Sequence, residues 1–363
     1  MARYRYYMMH EVTTTELDEA EEFWVSPCRN PAAVVHATIV IPNRDSRATL
    51  ARALQSALAQ TVREIEVIVV DDASTDTSWP YIAQFLAQDS RLRGIRNKRN
   101  LGKPAIMNRA LEIARGRWLA VLDADDWYAP DRLAALIALA EKRRADLVAD
   151  NQYLYDSGVA EIVGPAWPIA ESSWAMTFDD FLTASDAYES FNLGMLKPVI
   201  RTDFARAKSL VYEEDARQGE DFFYLLQFYL SGGTAVVADQ PYYYYTQPFG
   251  TRSRRWANAG RQRYDYRTAY DINRRCVEAW SGAFTRAQAA QLKRRGNRLI
   301  SLEQYHQIKE CLAHRNLVGA LGRVAIAPRT LEFAWRRIRS RFSGTSPSTA
   351  IERVARRARR RNG

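Results

Sequence analysis

Three short apolar runs, each closing on polar or acidic residues, constrain this chain more than any other feature. Ala37–Ile41 (ATIVI) stops at Pro42-Asn43-Arg44-Asp45, and Ile65–Val70 (IEVIVV) stops at Asp71-Asp72-Ala73-Ser74-Thr75-Asp76. Gly94–Asn97 is a candidate strand between the second and third runs, and Trp118–Leu122 (WLAVL) ends in Asp123, Asp125 and Asp126. Helical patterns separate them: Leu50, Leu54 and Leu58 share one face, a second helix runs from about Ser78 to Gln88, and a third leads from Asn100-Leu101-Gly102-Lys103 through Ala114. Continuous apolar runs without polar alternation predict strands buried on both faces. Strands alternating with helices imply right-handed crossovers and an α/β fold with a mostly parallel sheet. Ligands of such sheets bind at the carboxyl ends of the strands, which is where every one of these polar clusters falls.

Residues two apart on an extended chain point the same way, so Asp123 and Asp125 converge. Two such carboxylates repel unless a cation lies between them, and oxygen-only ligation suits Mg2+ or Mn2+, ions that commonly travel with phosphate. The other reading of this acidic cluster is local: Asp126 or Asp131 caps the helix that begins at Pro130. No GxGxxG follows the first strand and no GxxxxGK[ST] occurs, so dinucleotide-oxidoreductase and P-loop readings lose their main support. Asp72 replaces them as a carboxylate able to accept from the imide and ribose groups of a nucleotide.

The charge is unevenly placed. Net charge is +10, yet from Leu312 to Gly363 there are 13 arginines against Glu332 and Glu352, so the rest of the chain is close to neutral. A cationic appendage on a neutral body predicts an anionic surface as partner. Leu331, Trp335, Ile338 and Phe342 share one helical face while Arg336, Arg337, Arg339 and Arg341 fan around the rest, which suits a bilayer interface. Arg353–Arg361 adds charge for anionic lipids. A helix docked on the body would bury the same apolar face. Nucleic acid is not an expected partner, because nothing else reads as a groove or base reader. Three widely spaced cysteines form no metal or disulfide pattern, the first residues lack the apolar core of a signal peptide, and no run reaches the roughly 18 apolar residues of a spanning helix. The expectation is a cytoplasmic protein, peripheral on the inner face of the cell membrane. Residues 1–36 read as an N-terminal extension that packs loosely or wraps the domain, 37–256 as the catalytic domain, and 257–363 as a helical, basic region.

The series TIVIPNRD, EVIVVDDASTD, NLGKPAIMNRAL, RGRWLAVLDADDWYAPDRL and QGEDFFYLL, in that order between residues 37 and 230, resembles the family 2 glycosyltransferases, inverting nucleotide-sugar enzymes of the GT-A fold. Among these, the bacterial glycolipid and exopolysaccharide enzymes are the expected kin. The resemblance implies that Pro42, Asn43, Arg44 and Asp45 line the nucleoside, with Arg44 where the family often has an aromatic residue. It implies that Asp72 holds the base, Asp123 meets the ribose and Asp125 holds the divalent metal on the diphosphate. Lys103 would lie beside the nucleotide, or else be a solvated first-turn lysine. Gly219-Glu220-Asp221 opens a helix, where an acidic pair complements the helix dipole. The match to the family's ED motif makes Asp221 the general base and Glu220 an acceptor-side residue. Arg252-Ser253-Arg254-Arg255-Trp256 is similar to the QxxRW motif of processive members, with Arg252 in the glutamine's place; there Trp256 would stack on an acceptor sugar and Arg255 approach a phosphate. The same segment also reads as an exposed basic loop. Lys197 is a further candidate for acceptor or phosphate contact. The implied reaction moves a hexose from a nucleotide sugar, UDP-glucose or UDP-galactose, to diacylglycerol or a glycolipid. A polyprenyl-diphosphate oligosaccharide is the alternative acceptor, and a metal-dependent nucleotidyltransferase the alternative class.

Overall fold

The computed structural model describes residues 23–25, 33–187, 191–216, 219–247, 265–326, 330 and 349–362. The first half alternates as the apolar runs dictate: β1 (Phe23–Val25), β2 (Ala37–Asn43), α1 (Arg47–Leu58), β3 (Ile65–Asp71), α2 (Ser78–Gln88), β4 (Leu92–Asn97), α3 (Lys103–Ile113) and β5 (Trp118–Val121). The second half is less regular: β6 (Trp127–Tyr128), α4 (Arg132–Arg143), β7 (Leu147–Asp156), β8 (Glu161–Pro165), β9 (Ser173–Met176), α5 (Phe178–Thr183), β10 (Val199–Arg201), α6 (Thr202–Ala207), α7 (Glu220–Leu230) and β11 (Ala235–Thr246). The helices described after it are α8 (Tyr266–Ala279), α9 (Arg286–Ala313), α10 (Leu317–Ile326) and α11 (Thr349–Asn362).

All strands join one sheet in the order β1-β4-β3-β2-β5-β10-β7-β11-β6, with β8 on β7 and β9 on β11. β4, β3, β2 and β5 are parallel, as are β7 and β11, while β10 lies antiparallel between the two sets. The chain steps outward from β2 to β3 to β4, then crosses to the far side of β2 to form β5. That reversal opens a crevice at the carboxyl ends of β2 and β5, where side chains from adjacent loops meet.

Every residue of β2 and β3 is buried because helices cover both faces. Val40, Ile68 and Val70 pack with Ile106 and Met107 of α3 on one side, whereas Ile39, Ile41, Val67 and Val69 pack with Leu50, Leu54 and Ile82 on the other. Gly116 permits the chain to enter β5: a Cβ there would stand 2.3 Å from the Thr38 amide nitrogen, while the Gly116 N–H donates to Thr38 Oγ1 at 2.8 Å.

Two expectations about the chain's ends change. Part of the N-terminal extension is a strand, since β1 pairs antiparallel with β4 and extends the sheet. The final basic segment is not simply presented to solvent, because α11 docks on β9 and α5. Ile351, Val354, Ala355 and Ala358, spaced on one helical face, are fully buried, and the Arg359 guanidinium lies 2.6 Å from the buried Asp239 carboxylate. Arg361 pairs with Asp180 at 2.5 Å. Asp239 also accepts from the indole N–H groups of Trp167 (3.1 Å) and Trp174 (3.2 Å), which are core residues. The expected amphipathic stretch over 331–342 lies outside the described residues. Among the described residues no helix is long and apolar enough to cross a membrane.

Candidate active site

The chain leaves β5 through Asp123, Asp125 and Asp126, and each has a different fate. Asp126 is buried, accepting from the Tyr243 hydroxyl and the Thr246 N–H, both at 2.6 Å, so it pins this turn to the end of β11. It does not cap α4; Asp131 occupies the cap position, without a side-chain capping bond. The Asp125 carbonyl accepts from Arg52 Nη2 at 3.0 Å and Thr246 Oγ1 at 2.6 Å, which fixes its backbone from two sides. Arg52 also lies over the Trp127 ring at 3.6 Å, and Trp127 stacks on Tyr244 at 4.8 Å.

Asp123 is neutralised by the protein itself. Its carboxylate lies 2.8 Å from Lys103 Nζ and 2.8 Å from Lys197 Nζ. Lys103 comes from the first turn of α3, aimed by Gly102, whose φ of 89° favours glycine and whose N–H donates to Asp72 at 2.8 Å. Lys197 also reaches Asp221 at 2.5 Å, and Lys103 reaches Glu220 at 3.2 Å and Asp221 at 3.6 Å. Burial alone would destabilise the Asp123 carboxylate, but the two ammonium groups outweigh it and hold its pKa far below the usual range. Burial likewise disfavours the charged lysines, and the surrounding carboxylates reverse this, so both keep their protons. The cation expected between Asp123 and Asp125 is, for Asp123, lysine.

Lys197 is itself positioned by a sealed ion pair. Arg132, the first residue of α4, is fully buried and grips Asp150 with Nη2 at 2.8 Å and Nε at 3.2 Å, while Nη2 also donates to the Lys197 carbonyl at 2.5 Å. The helix that begins just after the acidic turn thereby fixes the backbone carrying Lys197.

Asp125 stands apart. Its carboxylate receives no hydrogen bond from another described residue, and burial, then the neighbouring Asp123 charge, push its pKa up to about 6. No group of three or more His, Cys, Asp or Glu side chains among the described residues could hold a metal alone. Asp123, Asp125, Glu220 and Asp221 set four carboxylates against two lysines. The uncompensated charge equals that of one divalent ion, so the residues fit a hard cation held by Asp125 and completed by the phosphate oxygens of a nucleotide.

The other expected nucleotide residues surround this centre. Pro42 and Asn43 end β2 in the core, with Asn43 Nδ2 donating to Asp71 at 2.7 Å. Asp71 is thus a buried structural carboxylate, as its position suggests. Arg44 and Asp45 are exposed at the mouth; Arg44 Nη1 donates to the Asp72 carbonyl at 3.1 Å, and Asp45 accepts from the Thr75 N–H at 2.7 Å. Asp72 is buried with both oxygens engaged, by Asn97 and the Leu101 and Gly102 N–H groups, each at 2.8 Å. Its visible work is to shape the loop that presents Lys103. Arg255 and Trp256 lie outside the described residues.

Residues 38–194 match the family model described as Glycosyl transferase family 2. Over those residues the chain resembles a glycosyl transferase family 2 domain. This domain is similar to the succinoglycan biosynthesis protein ExoO of Rhizobium meliloti, 34% identical over 62% of this chain and 65% of that protein. It also resembles the Escherichia coli UDP-Glc:alpha-D-GlcNAc-diphosphoundecaprenol beta-1,3-glucosyltransferase WfaP, 34% identical over 32% of this chain and 46% of that protein. The matches therefore span less than two thirds of these curated relatives. Among solved structures, S. aureus TarS 1-349 in complex with UDP-GlcNAc superposes with a TM-score of 0.55 at 15% identity, covering 82% of this chain and 92% of that one. That likeness establishes the GT-A-like fold of the glycosyl transferase domain.

Within that fold the structure brings together Lys103, Asp123, Glu220 and Asp221, with Lys197 at their centre. Its signal in sequence is slight: a lysine inside the otherwise apolar segment Leu193–Val199, before Pro198. Arg295 of α9 carried no signal. Its guanidinium covers the Phe222 ring at 3.6 Å, in the turn that carries Asp221, and burial draws its pKa down to about 9.

Proposed function

We propose that this chain is an inverting glycosyltransferase, moving a hexose from a nucleotide sugar, with UDP the expected nucleotide, to a hydroxyl of a lipid-linked acceptor in exopolysaccharide or glycolipid biosynthesis. The observation that carries this reading is the single constellation of Asp123, Asp221 and Lys197 at the crevice beside β5. A donor-side carboxylate and a separate carboxylate at the N-terminus of α7 there share one buried ammonium group.

In the reaction, an acceptor hydroxyl attacks the anomeric carbon, Asp221 takes its proton, and the bond from that carbon to the diphosphate oxygen breaks with inversion. Lys197 keeps Asp221 aimed. Lys103 and Lys197 also supply positive charge beside the departing nucleoside diphosphate. Asp123 accepts from the ribose hydroxyls. A divalent ion on Asp125 would supply further charge stabilisation at the diphosphate. The family resemblance and the lipid-linked substrate named for WfaP support this substrate class.

The test is product analysis with purified enzyme, nucleotide sugar and lipid acceptor. Nucleoside diphosphate should be released with glycosylated lipid, Asp221→Asn should abolish transfer while retaining donor binding, and Asp125→Ala should weaken metal-dependent donor binding. Release of pyrophosphate would instead identify a nucleotidyltransferase. Equal loss of donor binding in both variants would refute the division of roles.

A further inference from the structure

The α9–α10 corner has its polarity turned outward. Leu312 to Val318 is an unbroken exposed stretch, and four large apolar side chains stand out at this corner: Leu312 is 51% exposed, Leu317 64%, Val318 84% and Leu321 70%. Leu317, Val318 and Leu321 fall within about 100° of the α10 circumference, forming one stripe. The opposite side of α10 carries the small Ala320, 5% exposed, and Arg323, which bonds to Gln307 of α9. A surface helix normally places its large apolar side chains inward, so this stripe requires a partner outside the described chain.

Charge selects among partners. The corner is formed by a helix end, a tight turn with Arg315 at φ 58° and the next helix. Between Leu312 and Ile326 there are His314, Arg315 and Arg323 and no carboxylate. Two copies meeting through this stripe would oppose those cations to each other. An anionic bilayer accommodates both features, taking the apolar side chains below its headgroups and the arginine among them. The outer side of α11, with Arg356, Arg357 and Arg360 exposed, adds basic surface to the same region of sequence.

We infer that the α9–α10 corner is a membrane-insertion tip that seats the enzyme on an anionic lipid surface through Leu312, Leu317, Val318 and Leu321. This rests on the lipid-acceptor reading for its choice of partner, and assigns the contact to a defined corner. α9 links the two regions directly, since it carries Arg295 onto the turn of the proposed base and holds Leu312 in its last turn before ending at Ala313.

The experiment is co-sedimentation of the full chain with phosphatidylcholine vesicles with and without phosphatidylglycerol, comparing wild type with the triple variant Leu317→Ser, Val318→Ser, Leu321→Ser. Wild type should pellet with the anionic vesicles, and the variant should bind them about tenfold or more weakly. Its circular dichroism and its rate with a short-chain, water-soluble acceptor should be unchanged, because these side chains are exposed and remote from the carboxylates. Arg315→Gln should weaken binding to anionic vesicles alone. Unchanged vesicle binding by the triple variant, no binding by wild type, or a wild-type dimer in lipid-free sedimentation that the variant dissolves would each overturn the inference. Vesicle binding lost in the variant, with no sugar transferred by wild type to any lipid, would uphold the tip and overturn the proposed reaction.

Discussion

Two lysine or arginine centres lie side by side in this protein and differ in one respect. Arg132 and Asp150 are sealed in the core, matched one to one and bidentate. Lys103 and Lys197 lie among Asp123, Glu220 and Asp221 at the crevice, outnumbered by carboxylates that remain partly open to solvent. A sealed, stoichiometric pair has nothing left to offer a substrate, and removing one member strands a buried charge. The open centre has excess carboxylate, so under the proposed reaction it would exchange partners when a nucleotide and a cation bind. The contrast assigns stability to the first and turnover to the second.

The largest expected effect is on turnover. Asp221→Asn should lower kcat about 10³-fold or more with an unaltered melting midpoint, measured by nucleoside diphosphate release and thermal denaturation. Next, Arg132→Met should lower unfolding free energy by about 3–5 kcal/mol in urea titration, because Asp150 remains buried without its partner. If the melting midpoint barely moves, the pair is not sealed as described. Lys197→Met sharpens the comparison, since it touches both centres: kcat should fall about 10²-fold, with a smaller loss of stability than Arg132→Met. The smallest effect is one of pH. Asp125 must ionise to bind a cation, and its pKa is pushed up to about 6, so metal-dependent donor binding should weaken about tenfold per pH unit below that value and level off above it. Calorimetry across pH 5–8 checks this, and Asp125→Asn should remove the dependence along with most of the binding.

The donor half of the fold was legible because its signals are local. Buried parallel strands must be apolar throughout, their acidic ends lie adjacent in sequence, and the helix expected over Ser78–Gln88 forms over those residues. What was not legible depends on long-range pairing. Lys197 meets Asp123 across 74 positions of chain, and no periodicity encodes that. Asp126, read as a possible cap, instead holds β11, a partner 120 residues away. In α11 the basic residues dominate the composition, while its docking face is built largely from alanines, which leave a weak apolar signal in sequence.

The contact between Arg359 and Asp239 also bears on how the protein is made. Asp239 emerges during synthesis well before α11 exists, already committed to the two tryptophan indoles of the forming core. Until Arg359 arrives, that carboxylate lacks this guanidinium partner, and the β9 side of the flank lacks α11. The domain can therefore assemble its strands early, yet its last layer closes only after more than a hundred further residues have been added. A chain that stops short of α11 would leave exposed the apolar seam that Ile351, Val354, Ala355 and Ala358 cover, with the Asp239 carboxylate beside it.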